Sequence, residues 1–106
     1  MKEYRPDSWV IVKLPSNYGY KVLGGWSGSY LQGDSWRVNS GITHIEREGG
    51  DYLIHGYSSS VYRCHSSRYT LSMSTANIAN SLQEQGAEVL ADRKDWTQLL
   101  AEGVLK

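Results

Sequence analysis

The stretch Ile42-Thr43-His44-Ile45-Glu46-Arg47-Glu48-Gly49-Gly50-Asp51-Tyr52-Leu53-Ile54-His55-Gly56-Tyr57 decides how this chain folds. Its two halves are rich in β-branched and aromatic residues, the types that fit a pleated surface. Gly49-Gly50 between them accepts the positive φ that a two-residue hairpin turn requires. That turn pairs Glu48 with Asp51, Arg47 with Tyr52, Glu46 with Leu53, Ile45 with Ile54, His44 with His55 and Ile42 with Tyr57. A second loop, Ser58-Ser59-Ser60, leads to Val61-Tyr62-Arg63-Cys64-His65. With three loop residues, Tyr57 faces Val61, His55 faces Arg63, Ile54 faces Cys64 and Leu53 faces His65; a four-residue loop would flip the third strand. Side chains alternate along a strand, so one face carries Thr43, Ile45, Ile54, Gly56, Tyr62 and Cys64, which is core material. The other carries His44, Glu46, His55, Tyr57, Arg63 and His65 with Ile42, Leu53 and Val61. His44, His55 and Arg63 then form one row across three strands.

Working outward, residues 1–7 read as a short ordered arm with Pro6 opposing a helix. Ser8 to Leu14 is apolar on both faces, the mark of a central strand. Pro15-Ser16-Asn17 turns the chain, and Tyr18 to Leu23 completes a hairpin. Residues 24–35, with four glycines and three serines around Trp26 and Tyr30, read as a structured loop whose aromatics dock on the sheet and whose backbone N–H groups can meet an anion. Glycines serving only as turns would look the same. Trp36 to Ser40 resumes the alternation, with Trp36 and Val38 on one side, Arg37 and Asn39 on the other, and Gly41 placed to make a bulge. Beyond His65, Tyr69 to Met73 suits a short edge strand. Ser74 is the expected cap of a helix over 75–85, which Gly86 ends. Glu88 to Ala91 suits another strand, and Asp92 a cap for a last helix with a Trp96, Leu99 and Leu100 stripe ending near Gly103. The expected fold class is α+β: an antiparallel β-meander with C-terminal helices covering one face. The 106 residues make one domain, β-rich over 8–73 and helical over 74–103.

Lysine plus arginine equals aspartate plus glutamate at 11 each, which speaks against general nucleic-acid binding and against acidic mimicry of DNA. A local patch can still hold phosphate. The lone cysteine, Cys64, excludes an internal disulfide and a multi-cysteine zinc site and reads as a small buried apolar residue rather than a nucleophile. No secretory signal region opens the sequence and no apolar run reaches membrane-spanning length, so the expected location is cytoplasmic, without membrane contact. Eight tyrosines and four tryptophans with no phenylalanine supply core and binding anchors alike.

No phosphate loop, HExxH helix, nucleophile elbow or zinc-ligand spacing is present. The histidine row is the one constellation with chemistry in it, though the solvated face of an antiparallel sheet has the same composition. His44, His55 and His65 with an arginine could perform acid–base phosphodiester cleavage. His65-Ser66-Ser67 fits the short His-x-Ser pattern of two-histidine phosphoesterases, but neither His44-Ile45-Glu46 nor His55-Gly56-Tyr57 repeats it. Metal binding by His44, His55 and Glu46 or His65 is allowed chemically, yet an arginine in the same row opposes a cation. No metal or cofactor is therefore expected. A binding role uses Arg37, Arg63 and the histidines to hold an anion and Trp26, Tyr30 or Tyr57 to stack on a ring.

Asp7-Ser8-Trp9-Val10, Lys21-Val22-Leu23, Gly25-Trp26-Ser27-Gly28-Ser29-Tyr30-Leu31, Asp34-Ser35-Trp36-Arg37, Asn39-Ser40-Gly41-Ile42 and Gly56-Tyr57-Ser58-Ser59-Ser60-Val61-Tyr62 together resemble small uncharacterised proteins of tailed bacteriophages. The resemblance spans about residues 7–65 and transfers no functional residue. It implies an accessory protein acting in a bacterial host cytoplasm, where takeover of the host or evasion of its defences is the expected role. The combined expectation is a non-enzymatic protein that binds a host protein or a small anionic ligand such as a nucleotide through Trp26, Tyr30, Arg37, His44, His55, Tyr57 and Arg63. The alternative is the phosphodiester-cleaving enzyme, and a homo-oligomer is compatible with either.

Overall fold

The computed structural model describes residues 2–28 and 34–104. Its strands are β1 (Lys2–Tyr4), β2 (Ser8–Lys13), β3 (Tyr20–Trp26), β4 (Ser35–Val38), β5 (Ile42–Glu48), β6 (Asp51–Gly56), β7 (Ser60–His65) and β8 (Glu88–Val89), with helices α1 (Met73–Glu84) and α2 (Leu99–Val104). The α+β class therefore holds. The single meander does not: the strands form two four-stranded sheets, ordered β4-β3-β2-β8 and β1-β7-β6-β5. The chain changes sheet at Asn39–Gly41. There the buried Asn39 Oδ1 accepts from the Val22 N–H of the first sheet at 2.9 Å, and Gly41 takes a φ of 128° that a side chain would oppose. The expected arm is an edge strand, with β1 lying parallel to β7.

Strand β2 is central, between β3 and β8, and its alternation sends side chains to two apolar clusters. Trp9 and Ile11 join Val22 and the inner face of the second sheet, Ile45, Tyr52, Ile54, Tyr62 and Cys64, together with Trp96 and Leu99. Val10 and Val12 join Leu23, Ala79 and Ala87, with Ile78 and Leu82 of α1 packed against them. Trp9 anchors the first cluster. Its ring stands 5.9, 4.8 and 6.1 Å from those of Tyr52, Tyr69 and Trp96, and its N–H donates to the His65 carbonyl at 2.7 Å.

The first hairpin keeps its expected register from Glu48↔Asp51 through His44↔His55. It then departs, because the bulge lies between Ile42 and His44 rather than at Gly41, so Ile42 pairs with Gly56 and not with Tyr57. Ile42 is thereby turned into the core while Thr43, expected inside, is exposed. The second hairpin is shifted by two residues: His55 faces Val61, Leu53 faces Arg63 and Asp51 faces His65. A shift of two preserves which face each residue occupies but moves its neighbours along the strand.

Three further expectations are corrected. Gly24 and Gly25 lie within β3, not in a loop, and a Cβ on Gly25 would come within 2.7 Å of the Thr75 side chain, so glycine there admits the start of α1. Tyr69 to Met73 forms no strand beyond one bridge between Tyr69 and Trp9; the helix begins earlier, capped by Ser72, which forms a reciprocal capping box with Thr75. Gly86 closes α1 as expected, with Gly86 and Ala87 donating to the Gln83 and Leu82 carbonyls. The last helix starts only at Leu99, and Asp92 does not cap it; its side chain accepts from the Arg93 N–H instead.

Candidate functional site

Two polar sites emerge. The first is on the outer face of the second sheet, where the register running unbroken from the Gly49-Gly50 turn sets His44 opposite His55 and alternation places Glu46 beside them. The two imidazoles stack with centroids 3.9 Å apart and planes 9° from parallel. His44 Nε2 stands 3.1 Å from Glu46 Oε1 in hydrogen-bonding alignment. His55 Nε2 is 3.0 Å from the same oxygen but out of alignment, and this buried nitrogen has no hydrogen-bond partner among the described residues.

Arg63 does not join that row. Its guanidinium is held by Asp51 at 3.2 Å, Glu48 at 3.2 Å and Glu3 at 3.4 Å. These carboxylates, Asp51 first, raise its pKa. Glu3 in turn is lowered, mainly by its hydrogen bond from Arg5. An arginine so surrounded offers little to an incoming anion. His65 is also apart: it lies opposite Asp51, four residues along β7 from Val61, which faces His55, a run of about 13 Å. Its Nδ1 accepts from the Ser67 N–H at 3.1 Å and contacts the Ser67 hydroxyl at 2.7 Å. That is a local cap for the turn at Ser66–Arg68.

The second site lies at the corner where β1 and β4, edge strands of different sheets, approach each other. Tyr4, Trp26, Ser35, Trp36 and Arg37 line an open hollow of about 230 Å³. Tyr4 is its floor, 6.2 Å from the Trp26 ring in an edge-on arrangement and 5.0 Å from Tyr62. Trp26 is fixed by its N–H bond to the Arg5 carbonyl at 2.9 Å. Over the Tyr4 ring stand two cations, Arg37 at 4.6 Å and Lys2 at 5.2 Å. Neither makes an ion pair among the described residues. Trp36 is 47% exposed beside them.

Of the expected site residues, Trp26 and Arg37 therefore meet at the corner, and His44 and His55 meet on the outer face. Arg63 is occupied by carboxylates, and Tyr57 is 79% exposed with its ring lying against Gly41. Tyr30 lies outside the described residues. Sequence reasoning missed Lys2, Tyr4 and Trp36. The alternation Lys2-Glu3-Tyr4, which puts the first and third residues on one face, was the available signal. Burial raises the Cys64 thiol far above its usual range, as expected of a buried cysteine.

No family model, curated protein or solved structure matches this chain. Among the described residues no helix is long and apolar enough to cross a membrane.

Proposed function

We propose that this chain is a non-enzymatic accessory protein of the bacteriophage kind its sequence resembles, and that it binds a small anionic ligand carrying a flat ring, a nucleotide being the simplest case. The binding site is the corner of Lys2, Tyr4, Trp26, Trp36 and Arg37. One observation carries the reading: Arg37 and Lys2 share the Tyr4 ring with no carboxylate paired to either among the described residues. Two cations so held favour an anion, and exposed Trp36 gives a ring a surface to stack on. The cation–π contacts orient the charges without neutralising them.

The phosphodiester-cleaving alternative has less in its favour. It needs two histidines and a cation around one phosphate. Here the His44–His55 pair shares a carboxylate, His65 caps its own turn, and Arg63 is surrounded by acids.

The test is calorimetric titration of the whole chain with mononucleotides, cyclic dinucleotides and inorganic phosphate. Saturable binding lost in both Arg37→Ala and Trp36→Ala supports the reading, and product analysis of the same mixtures would expose turnover. Absence of binding throughout turns the proposal toward a host protein, to be sought by affinity capture.

A further inference from the structure

We propose that His44, Glu46 and His55 bind a divalent transition-metal ion of the zinc class, at a site separate from the anion corner. One donor atom from each lies within 4.8 Å of the others. Two imidazole nitrogens and a carboxylate oxygen are donors that Zn²⁺ accepts, with bonds of about 2.0–2.2 Å. A tetrahedral centre with such bonds separates its ligands by about 3.3 Å. The Glu46 oxygen is already 3.1 and 3.0 Å from the two nitrogens. Mg²⁺ and Ca²⁺ prefer all-oxygen sites, so the histidines select against them.

Three further observations favour this site. The unbroken register from the Gly49-Gly50 turn sets His44 directly opposite His55, and alternation keeps Glu46 on the same face. The His55 Nε2 is buried without a hydrogen-bond partner while standing beside the Glu46 oxygen, a cost that coordination would remove. The surrounding field also suits a cation. Arg63 faces Leu53 rather than His55, and Glu3, Glu48 and Asp51 hold it. Arg63 therefore stands neither opposite His55 nor as an uncompensated positive charge.

The stacked rings hold their in-plane lone pairs in two nearly parallel planes, with centroids 3.9 Å apart, so coordination requires one ring to tilt until both lone pairs reach one ion. His44, with a side chain 55% exposed, has the room, and the χ2 torsion of histidine is broad. His55, at 22%, is the fixed ligand. The exposed side of the cluster leaves a coordination position for water.

Equilibrium dialysis of the tag-free chain against Zn²⁺, with Co²⁺ absorption as a report of coordination geometry, tests the site. We expect one ion per chain, a tetrahedral Co²⁺ spectrum, and affinity reduced about 10-fold or more by His44→Ala and by Glu46→Gln. His65→Ala should leave affinity unchanged. Because His44 and Glu46 are more than half exposed, their variants should fold, which circular dichroism checks. No uptake by the unmodified chain overturns the proposal. So does uptake that survives the double substitution of His44 and Glu46, or that falls equally with His65→Ala.

Discussion

Arg37 and Arg63 are both strand arginines, each immediately preceded by an aromatic residue, Trp36 and Tyr62. They end in opposite conditions. Arg63 has three carboxylates around it and a side chain only 19% exposed. Arg37 lies on an aromatic ring, exposed, with no ion pair among the described residues. The difference arises from the neighbours each sheet supplies. Around Arg63, three strands contribute acids to one face, namely Glu3 from β1, Glu48 from β5 and Asp51 from β6. At the corner, β1 turns Lys2 and Tyr4 to its other face, toward β4. An arginine's availability is thus a property of its surroundings rather than of its residue type.

The largest way to disturb that contrast is to remove the packing that holds the registers. Ile54 is fully buried beneath the outer face. We expect Ile54→Ala to cost about 2–5 kcal/mol in urea unfolding, whereas Leu53→Ala, on the outer face of the same strand and half-buried, should cost distinctly less. A smaller loss for Ile54 would mean that the inner face does not set the frame.

Next in size is the binding contrast. Arg37→Ala should weaken nucleotide binding about 10-fold or more, equivalent to about 1.4 kcal/mol, while Arg63→Ala leaves it unchanged in the same titration. The reverse result would return the anion site to the histidine face.

Smaller again is the stability effect of Arg63→Ala. Its removal leaves Glu3, Glu48 and Asp51 without their shared cation, so the thermal midpoint should fall at low salt. The deficit should shrink as salt screens the like charges. An equal deficit at all salt concentrations would assign the loss to packing.

The smallest effect is alkaline. Burial pushes the Tyr62 hydroxyl up to about 12 from 10.0, and nearby Arg37 opposes part of that rise. Tyr69 is likewise raised by burial to about 12 from 10.0. The unfolded phenols ionise first, so the stability they lend is complete below pH 10 and is lost as pH climbs toward 12. Arg37→Ala should shift the Tyr62 ionisation further upward in a tyrosinate absorbance titration. A downward shift would contradict the assigned position of Arg37.

The sequence by itself determined the elements whose cause is local. Gly49-Gly50 set the first hairpin and its register down to His44↔His55, because a two-residue turn leaves one pairing open. The double-faced apolar run 8–14 marked the central strand, and Gly86 marked the end of α1. For the same reason the pairing of His44 with His55, half of one candidate site, was legible.

Tertiary structure alone decided the rest. Whether Ser60 begins a strand or ends a loop depends on β1 pairing with β7 along Lys2↔Ser60, a contact between residues far apart in sequence. The second hairpin leaves residues 56–60 between the paired His55 and Val61, so Arg63 stands two places from its expected partner and beside acids rather than His55. The split into two sheets at Asn39–Gly41 arose in the same way, through a bond from Val22 to the Asn39 side chain. Alternation shows which face a residue occupies. Which neighbours share that face, and so which charges are already satisfied, is set by contacts between strands that the chain order does not reveal.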